Sequence, residues 1–189
     1  MKRLSIFVSG NGTNLQRIAE YFSDNNNVEI ANVVCNNPKA YSIERAKNLG
    51  IPLQMITKAE FNSEDFVNEM QSLNIDLIVL AGFLWKIPEN LIKAFPNKIV
   101  NIHPALLPKY GGKGFYGEHV HEAVVAAKEA HSGITVHYVN EIYDSGEIIL
   151  QAHVALEAGE TPDSLAAKIH KLEQTYFPVA IEYVLKTQQ

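Results

Sequence analysis

The chain has 189 residues, 47% of them hydrophobic and 20% charged, and a formal net charge of −5. This length and composition are typical of one globular domain, here residues 1–189, and a negative charge without any cluster of Lys and Arg argues against a nucleic-acid partner. A lone cysteine, Cys35, rules out an intrachain disulfide and a cysteine metal cluster. The sequence shows no signal peptide and no apolar run near ~20 residues, which predicts a cytoplasmic protein without a membrane partner.

The first half of the chain alternates strand-like and helical segments. Continuous apolar runs, which are expected where a strand is buried on both faces, predict strands at residues 4–8, 30–35 and 76–82. Amphipathic spacing and helix-start signals predict helices at residues 14–22 and 43–49 and from Ser63 onward.

The second half continues the alternation and ends in a long helix. Helices are predicted at residues 88–95, 119–130 and 162–185. Strands are predicted through Asn101 and at residues 134–139 and 148–156. Alternating units of this length imply an α/β fold: a single-domain, doubly wound, mostly parallel sheet with helices on both faces, in which the later strands can turn antiparallel.

Asn101 and His103 stand two residues apart at the end of a predicted strand, and Asp144 follows in a later turn. Side chains two apart on a strand point to the same face, and Pro104 ends the strand there. Ligands bind at the carboxyl ends of strands in open α/β sheets. An amide, an imidazole and a carboxylate are the groups that a transfer between two amines needs. The alternative is a hydrogen-bonded strand-end histidine beside a turn asparagine.

The turn at Ser9-Gly10-Asn11-Gly12-Thr13-Asn14 follows the first strand and opens the first helix. Free backbone N–H groups and the positive end of the helix dipole meet there, which predicts an anion site. A dinucleotide fingerprint is not complete, because Leu15 stands where a third glycine is needed. The alternative is a tight turn in which Asn14 caps the helix.

Three further features have two interpretations each. Residues 104–117 carry four glycines and form either a mobile loop over the site or a plain surface connection. His119 and His121 have no third ligand nearby, so we expect surface positions at a helix start and no metal. His137 either lines the site or is a hydrogen-bonded strand histidine.

Several segments together carry a resemblance to a known family: Ser9-Gly10-Asn11-Gly12-Thr13-Asn14, Leu80-Ala81-Gly82-Phe83, Asn101-Ile102-His103-Pro104, His131-Ser132-Gly133 and Asp144-Ser145-Gly146. In this order, and over nearly the whole chain, they resemble the folate-dependent formyltransferases that act on phosphoribosylglycinamide in purine synthesis. The resemblance implies a Rossmann-like formyltransferase fold and transfer of a formyl group from 10-formyltetrahydrofolate to the amine of 5'-phosphoribosylglycinamide. It implies these small molecules as partners and a monomer or homodimer.

The resemblance also implies a role for individual residues. The implied catalytic residues are Asn101, His103 and Asp144. The implied phosphate-binding residues are Gly12, Thr13 and Asn14. The implied folate-binding residues are Leu84, Trp85, Lys86, Ile87 and Asn101, together with residues 139–144. The amine end of the acceptor is expected near Glu173. One departure is Glu64, which stands where the family commonly has an arginine that meets the glutamate tail of folate.

The expected chemistry follows from the charges that develop. The acceptor amine, with an ordinary pKa near ~8, loses a proton and attacks the formyl carbon, which creates an oxyanion. Asn101 and a protonated His103 donate to that oxygen. Asp144 favours the imidazolium form of His103, Glu173 orients the acceptor, and no metal is required.

Other functions remain possible at this stage. A formyltetrahydrofolate hydrolase uses Asn101, His103 and Asp144 with water as the acceptor, but it usually carries an amino-terminal regulatory domain for which this chain has no room. A nucleotide-dependent oxidoreductase fits the fold but not the first turn. A phosphosugar-binding module keeps Gly12 to Asn14 and has no use for the three catalytic candidates.

Overall fold

Seven strands form one sheet at the centre of the molecule, for which a computed structural model describes residues 1–187. In chain order the strands are β1 Lys2–Val8, β2 Val28–Cys35, β3 Leu53–Met55, β4 Leu77–Leu80, β5 Ile99–His103, β6 His131–Tyr138 and β7 Ile148–Ala155. Their order across the sheet is β3-β2-β1-β4-β5-β6-β7. β1 to β5 pair in parallel, whereas β6 runs antiparallel to β5 and to β7. The predicted doubly wound, mostly parallel sheet is confirmed.

The order of the strands reverses beside β1, which creates a crevice at the carboxyl edge of the sheet. The chain moves outward from β1 through β2 to β3 and then returns to place β4 on the other side of β1. Ligands bind at such a switch point in open α/β sheets. The turn after Val8, the segment after Leu80 and the end of β5 at His103 all lie at this edge, so the topology brings together the segments that carry the candidate residues.

Helices cover both faces of the sheet. They are α1 Thr13–Phe22, α2 Ser42–Asn48, α3 Lys58–Phe61, α4 Glu64–Ser72, α5 Glu89–Ala94, α6 Glu118–Ala126 and α7 Pro162–Thr187. Alternate side chains of β1 serve two separate cores: Ile6 packs with residues of α1 and α7, and Phe7 packs with residues of α4 and α5. Both strand residues are fully buried, as the continuous apolar run predicts for a strand covered on both faces.

The helix starts agree with the sequence in two places. The Ser63 hydroxyl accepts from the Phe66 N–H at 3.2 Å, as an N-cap should. Thr161 caps α7 in the same way, because its Oγ1 accepts from the Ser164 N–H at 3.1 Å. Pro162 then occupies the first helical position, where its missing N–H costs nothing.

Two of the differences between the predicted and observed elements have a local cause. Helix α3 was not predicted, although Thr57 and Glu60 form a capping box in which the Glu60 carboxylate accepts from the Thr57 N–H at 2.8 Å. Helix α6 ends at Ala126 instead of residue 130, because Lys128 adopts a left-handed φ of 51° and closes a turn before β6.

Candidate active site

A cavity of about 570 Å³ opens at the carboxyl edge of the sheet, within the size range of small-molecule sites. Its walls include every site residue that the sequence analysis names individually: Gly12, Thr13, Asn14, Leu84, Trp85, Lys86, Ile87, Asn101, His103, Asp144 and Glu173. Of the predicted segment 139–144, all residues except Glu141 also line it. Residues separated by up to 161 positions along the chain thus share one cavity.

The turn before α1 lines the cavity and leaves its backbone donors without a side-chain cap. Gly12 is the N-cap of α1 with a left-handed φ of 79°, and no side chain caps the helix. A Cβ atom at Gly12 would lie 2.7 Å from the Cβ of Ser42, so only glycine fits. The predicted alternative, Asn14 as a helix cap, is wrong, because the Asn14 amide instead donates to Glu173 at 3.2 Å. The N–H groups of the first turn therefore face the cavity, as an anion site requires.

Asn101 is oriented by the histidine directly opposite it on β6. The two residues are register partners, and Asn101 Nδ2 lies 3.1 Å from His137 Nε2. Because a carbonyl can only accept, His137 Nδ1 donates to the Tyr138 carbonyl at 2.8 Å. This hydrogen bond fixes the ring so that its other nitrogen, Nε2, faces the Asn101 amide. Both interpretations of His137 therefore hold, since it is hydrogen-bonded and also lines the cavity.

His103 is almost fully buried, with 3% of its surface exposed, and both ring nitrogens face acceptors. Nε2 donates to the Tyr110 carbonyl at 2.7 Å. Nδ1 lies 3.6 Å from the Oδ2 atom of Asp144. The ring satisfies both acceptors only when both nitrogens carry a proton.

The expected charge on His103 is nevertheless wrong for the free protein. Burial lowers the pKa of His103 below its ordinary value by more than Asp144 and the Tyr110 carbonyl raise it. Asp144 acts in the predicted direction, but desolvation of the imidazolium is the larger effect. The sequence prediction took account of the Asp144 carboxylate but not of the burial of His103, which has the larger effect on its pKa.

Asp144 sits between the two histidines. Its carboxylate lies 3.6 Å from His103 through Oδ2 and 3.6 Å from His137 through Oδ1, and Oδ2 accepts from the Gly112 N–H at 2.9 Å. Burial alone would raise the pKa of Asp144, but its contacts with the two rings and the Gly112 amide hold it below the ordinary value. Asp144 is therefore a carboxylate at neutral pH.

One part of the cavity wall is apolar and aromatic. Trp85 packs against Phe61 and Phe83 with ring centroids 5.7 and 6.0 Å apart, and the Lys58 Nζ lies 4.7 Å from the centroid of the Trp85 ring. Leu84 is 59% exposed, and its N–H donates to the Ser9 hydroxyl at 2.9 Å. This hydrogen bond ties the wall to the end of β1.

Glu173 is a buried carboxylate, not a solvated charge, with 8% of its surface exposed. Its Oε2 accepts from Asn14 at 3.2 Å and from His170 Nδ1 at 3.1 Å. The hydrogen bond with Glu173 raises the pKa of His170. Sequence reasoning missed His170, although its position three residues before Glu173 on a predicted helix was a usable signal.

His121 was expected at the surface, and that expectation is wrong. Its exposed fraction is 5%, and it lines the same cavity as Glu173. The neighbouring His119 is exposed and pairs with Glu122. The helical spacing of His121 with the buried residues Val120 and Val124 was the signal for a buried face.

The glycine-rich loop faces the cavity through residues 112–117, so it is not a plain surface connection. Its first residues hold the catalytic candidates: the Tyr110 carbonyl accepts from His103 and the Gly112 N–H donates to Asp144. The two contacts join residues that are 7 and 32 positions apart in the sequence, and no local pattern indicates them.

Within residues 1–187, no group of three or more His, Cys, Asp or Glu residues is arranged to hold a metal ion. In the same part of the chain, no helix is long and apolar enough to cross a membrane.

Comparison with known proteins identifies a family. Residues 2–181 match the family model described as formyl transferase. A chloroplastic phosphoribosylglycinamide formyltransferase of Arabidopsis thaliana is 40% identical over 186 residues, which cover 94% of this chain and 64% of the plant protein. The chain therefore spans less than two thirds of that relative.

A bacterial relative and a solved structure match over nearly their full length. Phosphoribosylglycinamide formyltransferase of Bacillus subtilis is 35% identical over 98% of this chain and 95% of its own. The crystal structure of phosphoribosylglycinamide formyltransferase from Bacillus halodurans superposes with a TM-score of 0.88 at 32% identity, covering 100% of this chain and 97% of that one.

Proposed function

The chain belongs to the formyl transferase family, and from this premise we propose that it transfers the formyl group of 10-formyltetrahydrofolate to the amine of 5'-phosphoribosylglycinamide, a step of purine synthesis. One observation carries the proposal: Asn101, His103 and Asp144 line a cavity whose walls also include the start of α1, where no side chain caps the helix, and an aromatic segment. Such a cavity suits a phosphorylated acceptor and a flat, largely apolar donor.

The two substrates suit different parts of the cavity wall by their chemistry. We assign the phosphate of the acceptor to the free N–H groups at Gly12, Thr13 and Asn14, and its amine end to the region of Glu173. We assign the folate ring to the wall formed by Leu84, Trp85, Lys86, Ile87 and the neighbouring Asn101. Both reacting groups then meet at Asn101, His103 and Asp144.

Asn101 supplies the direct donor for the developing oxyanion. One N–H of its amide is held by His137, and its second N–H has no protein acceptor among residues 1–187. A preorganised donor of this kind is worth about 2.7–4 kcal/mol of barrier in other enzymes. The strand opposite Asn101 therefore fixes the amide before substrates bind.

We assign to His103 and Asp144 the stabilisation of the oxyanion and the transfer of the amine's proton. His103 is neutral in the free protein, and an oxyanion beside it stabilises the imidazolium. Asp144 stabilises the same cation at Nδ1. We assign to Asp144 the transfer, through a water, of the proton that the attacking amine loses to the folate nitrogen, which departs as its bond to the formyl carbon breaks. Charge is handled by an amide, an imidazole and a carboxylate, so the proposed reaction needs no metal.

Hydrolysis of the formyl folate is the second candidate function. It would use the same three residues but would leave the turn at Gly12 and the buried Glu173 without a purpose. The relatives that match over nearly their full length are named phosphoribosylglycinamide formyltransferases, which supports transfer to an amine over transfer to water. We further propose one catalytic domain over residues 1–189 that acts as a monomer or homodimer in the cytoplasm.

The test is to incubate the protein with 10-formyltetrahydrofolate, with and without the acceptor. We expect tetrahydrofolate to appear only when the acceptor is present, with a mass increase of one formyl group on the acceptor. Asn101→Ala serves as the inactive control. Equal rates of tetrahydrofolate formation with and without the acceptor would instead establish the hydrolase.

A further inference from the structure

We propose that Arg45 of α2 is a positioning residue for the acceptor's phosphate, because it holds the peptide group that presents the Gly12 N–H to the cavity. This inference rests on the proposed function, which assigns the phosphate to the turn at the start of α1. The observation that carries it is a pair of hydrogen bonds from one guanidinium. Arg45 Nε donates to the Asn11 carbonyl at 2.9 Å, and Arg45 Nη2 donates to Asn11 Oδ1 at 2.9 Å.

The first of these bonds fixes the direction of the peptide group between Asn11 and Gly12. This peptide is trans, and the C=O and N–H of a planar trans peptide point in opposite directions. Since Arg45 holds the Asn11 carbonyl from the side of α2, the Gly12 N–H of the same peptide points away from Arg45. Gly12 lines the cavity and Arg45 does not, so the bond to Arg45 keeps this N–H on the ligand side of the turn.

Two neighbouring peptide groups of the turn are held by the same segment of the chain, which runs from the end of β2 into α2. The Ser9 carbonyl accepts from Asn37 Nδ2 at 2.9 Å, and the Gly10 carbonyl accepts from the Ser42 N–H at 3.1 Å. Three successive carbonyls are therefore bound, and none of the backbone hydrogen bonds within residues 1–187 uses the N–H groups of these three peptides. Arg45 is the charged donor of the three.

Arg45 also brings a positive charge that no carboxylate neutralises. The chain's other arginines, Arg3 and Arg17, each pair with a glutamate, whereas Arg45 forms no ion pair within residues 1–187. Its guanidinium lies 5.1 Å from the centroid of the Tyr41 ring, a cation–π contact that supports its orientation. A charged donor makes a stronger hydrogen bond and polarises the peptide that accepts it. The Gly12 N–H thereby becomes a stronger donor to a phosphate dianion.

The first experiment measures steady-state kinetics of Arg45→Met and Arg45→Lys. We expect the acceptor KM to rise ~10-fold in Arg45→Met, as for the loss of a hydrogen bond from a charged group, with kcat and the donor KM unchanged. Arg45→Lys keeps the charge and one donor and should recover part of the affinity. An unchanged acceptor KM in Arg45→Met would overturn the proposal, and so would an equal rise of the donor KM.

Arg3→Met is the matched control for the loss of an arginine that binds the backbone. Arg3 Nε donates to the Leu73 carbonyl at 2.8 Å, the same kind of contact, but Arg3 lies at the start of β1 and the turn follows its end. This variant should lose stability and keep every kinetic constant. A rise of the acceptor KM equal to that of Arg45→Met would show a general effect of stability and would overturn the proposal.

Tyr41→Leu keeps the proposal testable if Arg45→Met does not fold. Tyr41 is 56% exposed, and its side chain does not cap α2, so we expect this variant to fold. Removing the ring leaves the guanidinium less well held, and the acceptor KM should rise about 2–5-fold, the value of an exposed cation–π contact. An unchanged acceptor KM in both Tyr41→Leu and Arg45→Lys would overturn the role of Arg45.

A binding measurement keeps the inference independent of the reaction. Inorganic phosphate and ribose 5-phosphate are titrated into the parent and into Arg45→Met without folate, and the backbone amide signals are followed by NMR. We expect both ligands to bind ~10-fold more weakly to the variant, in line with the expected rise of the acceptor KM. Equal binding would refute the role of Arg45 even if formyl transfer is confirmed, and weaker binding would support it even if formyl transfer fails.

The amide signal of Gly12 separates positioning from direct contact with the ligand. In the ligand-free protein, this signal should differ between the parent and Arg45→Met, because the peptide that carries it loses the polarising bond to Arg45. Weaker phosphate binding together with an unmoved Gly12 signal would mean that Arg45 contacts the phosphate itself. That result would overturn a role that acts through the turn.

Discussion

The Nδ1 atom of His103 lies 3.6 Å from the Oδ2 atom of Asp144, and the two groups affect one another's protonation in opposite senses. The carboxylate raises the pKa of His103, while burial lowers it by more. His103 in turn helps to lower the pKa of Asp144. Burial keeps the imidazole neutral until a negative oxygen forms beside it, and that oxygen together with Asp144 then stabilises the charged form.

Replacing Asp144 with Asn should therefore lower the pKa of His103 further. We expect kcat to fall by about 10²–10³, the usual cost of losing one preorganised electrostatic group, and the pH at which activity declines to move downward. The acceptor KM should change little, because Gly12 to Asn14 are untouched. NMR titration of His103 is the direct measurement, and an equal or higher pKa in the variant would contradict the assigned role.

Acid should destabilise the protein through its buried histidines. The pKa values of His103 and His121 are lowered in the folded state, so the unfolded chain binds more protons once the pH falls below about 6.5. The contribution of the two neutral histidines to the free energy of unfolding is fully present above this pH. It is lost as the pH falls through their lowered folded-state pKa values. The free energy of unfolding, measured with urea at pH 7.5 and at pH 5, should fall less between the two pH values in His121→Leu than in the parent. An equal fall in both proteins would contradict the lowered pKa of His121.

The phosphate turn should be sensitive to any side chain at Gly12. A left-handed φ costs a non-glycine residue about 1 kcal/mol or more, and the Cβ at Gly12 would also meet Ser42 at 2.7 Å. Gly12→Ala should raise the acceptor KM and leave the donor KM unchanged. Gly50→Ala is the matched control, because Gly50 has a φ of 68° and no atom within 4 Å of the added Cβ. It should lose stability without a change in the acceptor KM, and a similar effect of both variants on that KM would show that the turn does not bind the acceptor.

Much of the site could be predicted because it depends on strand periodicity. Two residues at period two on an apolar strand share a face, and this was enough to place Asn101 and His103 in one cavity. The prediction was wrong for helix α6. The spacing of His121 with Val120 and Val124 indicates a buried helix face, and the sequence analysis did not use it. Direct sequence signals existed in both cases.

The electrostatics could not be predicted in the same way. The net pKa shift of His103 depends on how deeply β5 is buried and on where the chain after Pro108 returns, because the Tyr110 carbonyl and the Gly112 N–H come from that loop. Such distances are properties of the packed structure. A sequence can nominate the ionisable groups, but the balance between burial and pairing appears only when all the neighbours are in place.

Glu64→Arg tests the departure of this chain from its family. The structure gives Glu64 a partner, since its Oε1 accepts from the Asn90 amide at 3.1 Å, and it is an acidic residue in the first turn of α4. We expect the change to reduce stability by about 0.3–1 kcal/mol through the helix dipole and to leave kcat unchanged. Polyglutamylated donors should bind more tightly by at most ~1 kcal/mol, the value of an exposed ion pair. A large loss of kcat in a variant that still folds would show that Glu64 acts on the site.

Trp85 offers a direct measurement of donor binding. It is the single tryptophan of the chain, it lines the cavity, and its ring packs against Phe61 and Phe83. A folate ring placed on this wall should quench the Trp85 emission after correction for absorbance, and Trp85→Phe should raise the donor KM several-fold while keeping the packing and the acceptor KM. Because we assign the acceptor's phosphate to the turn and not to the Trp85 wall, the acceptor alone should leave the emission unchanged. Quenching by the acceptor and not by the donor would mean that the two assignments must be exchanged.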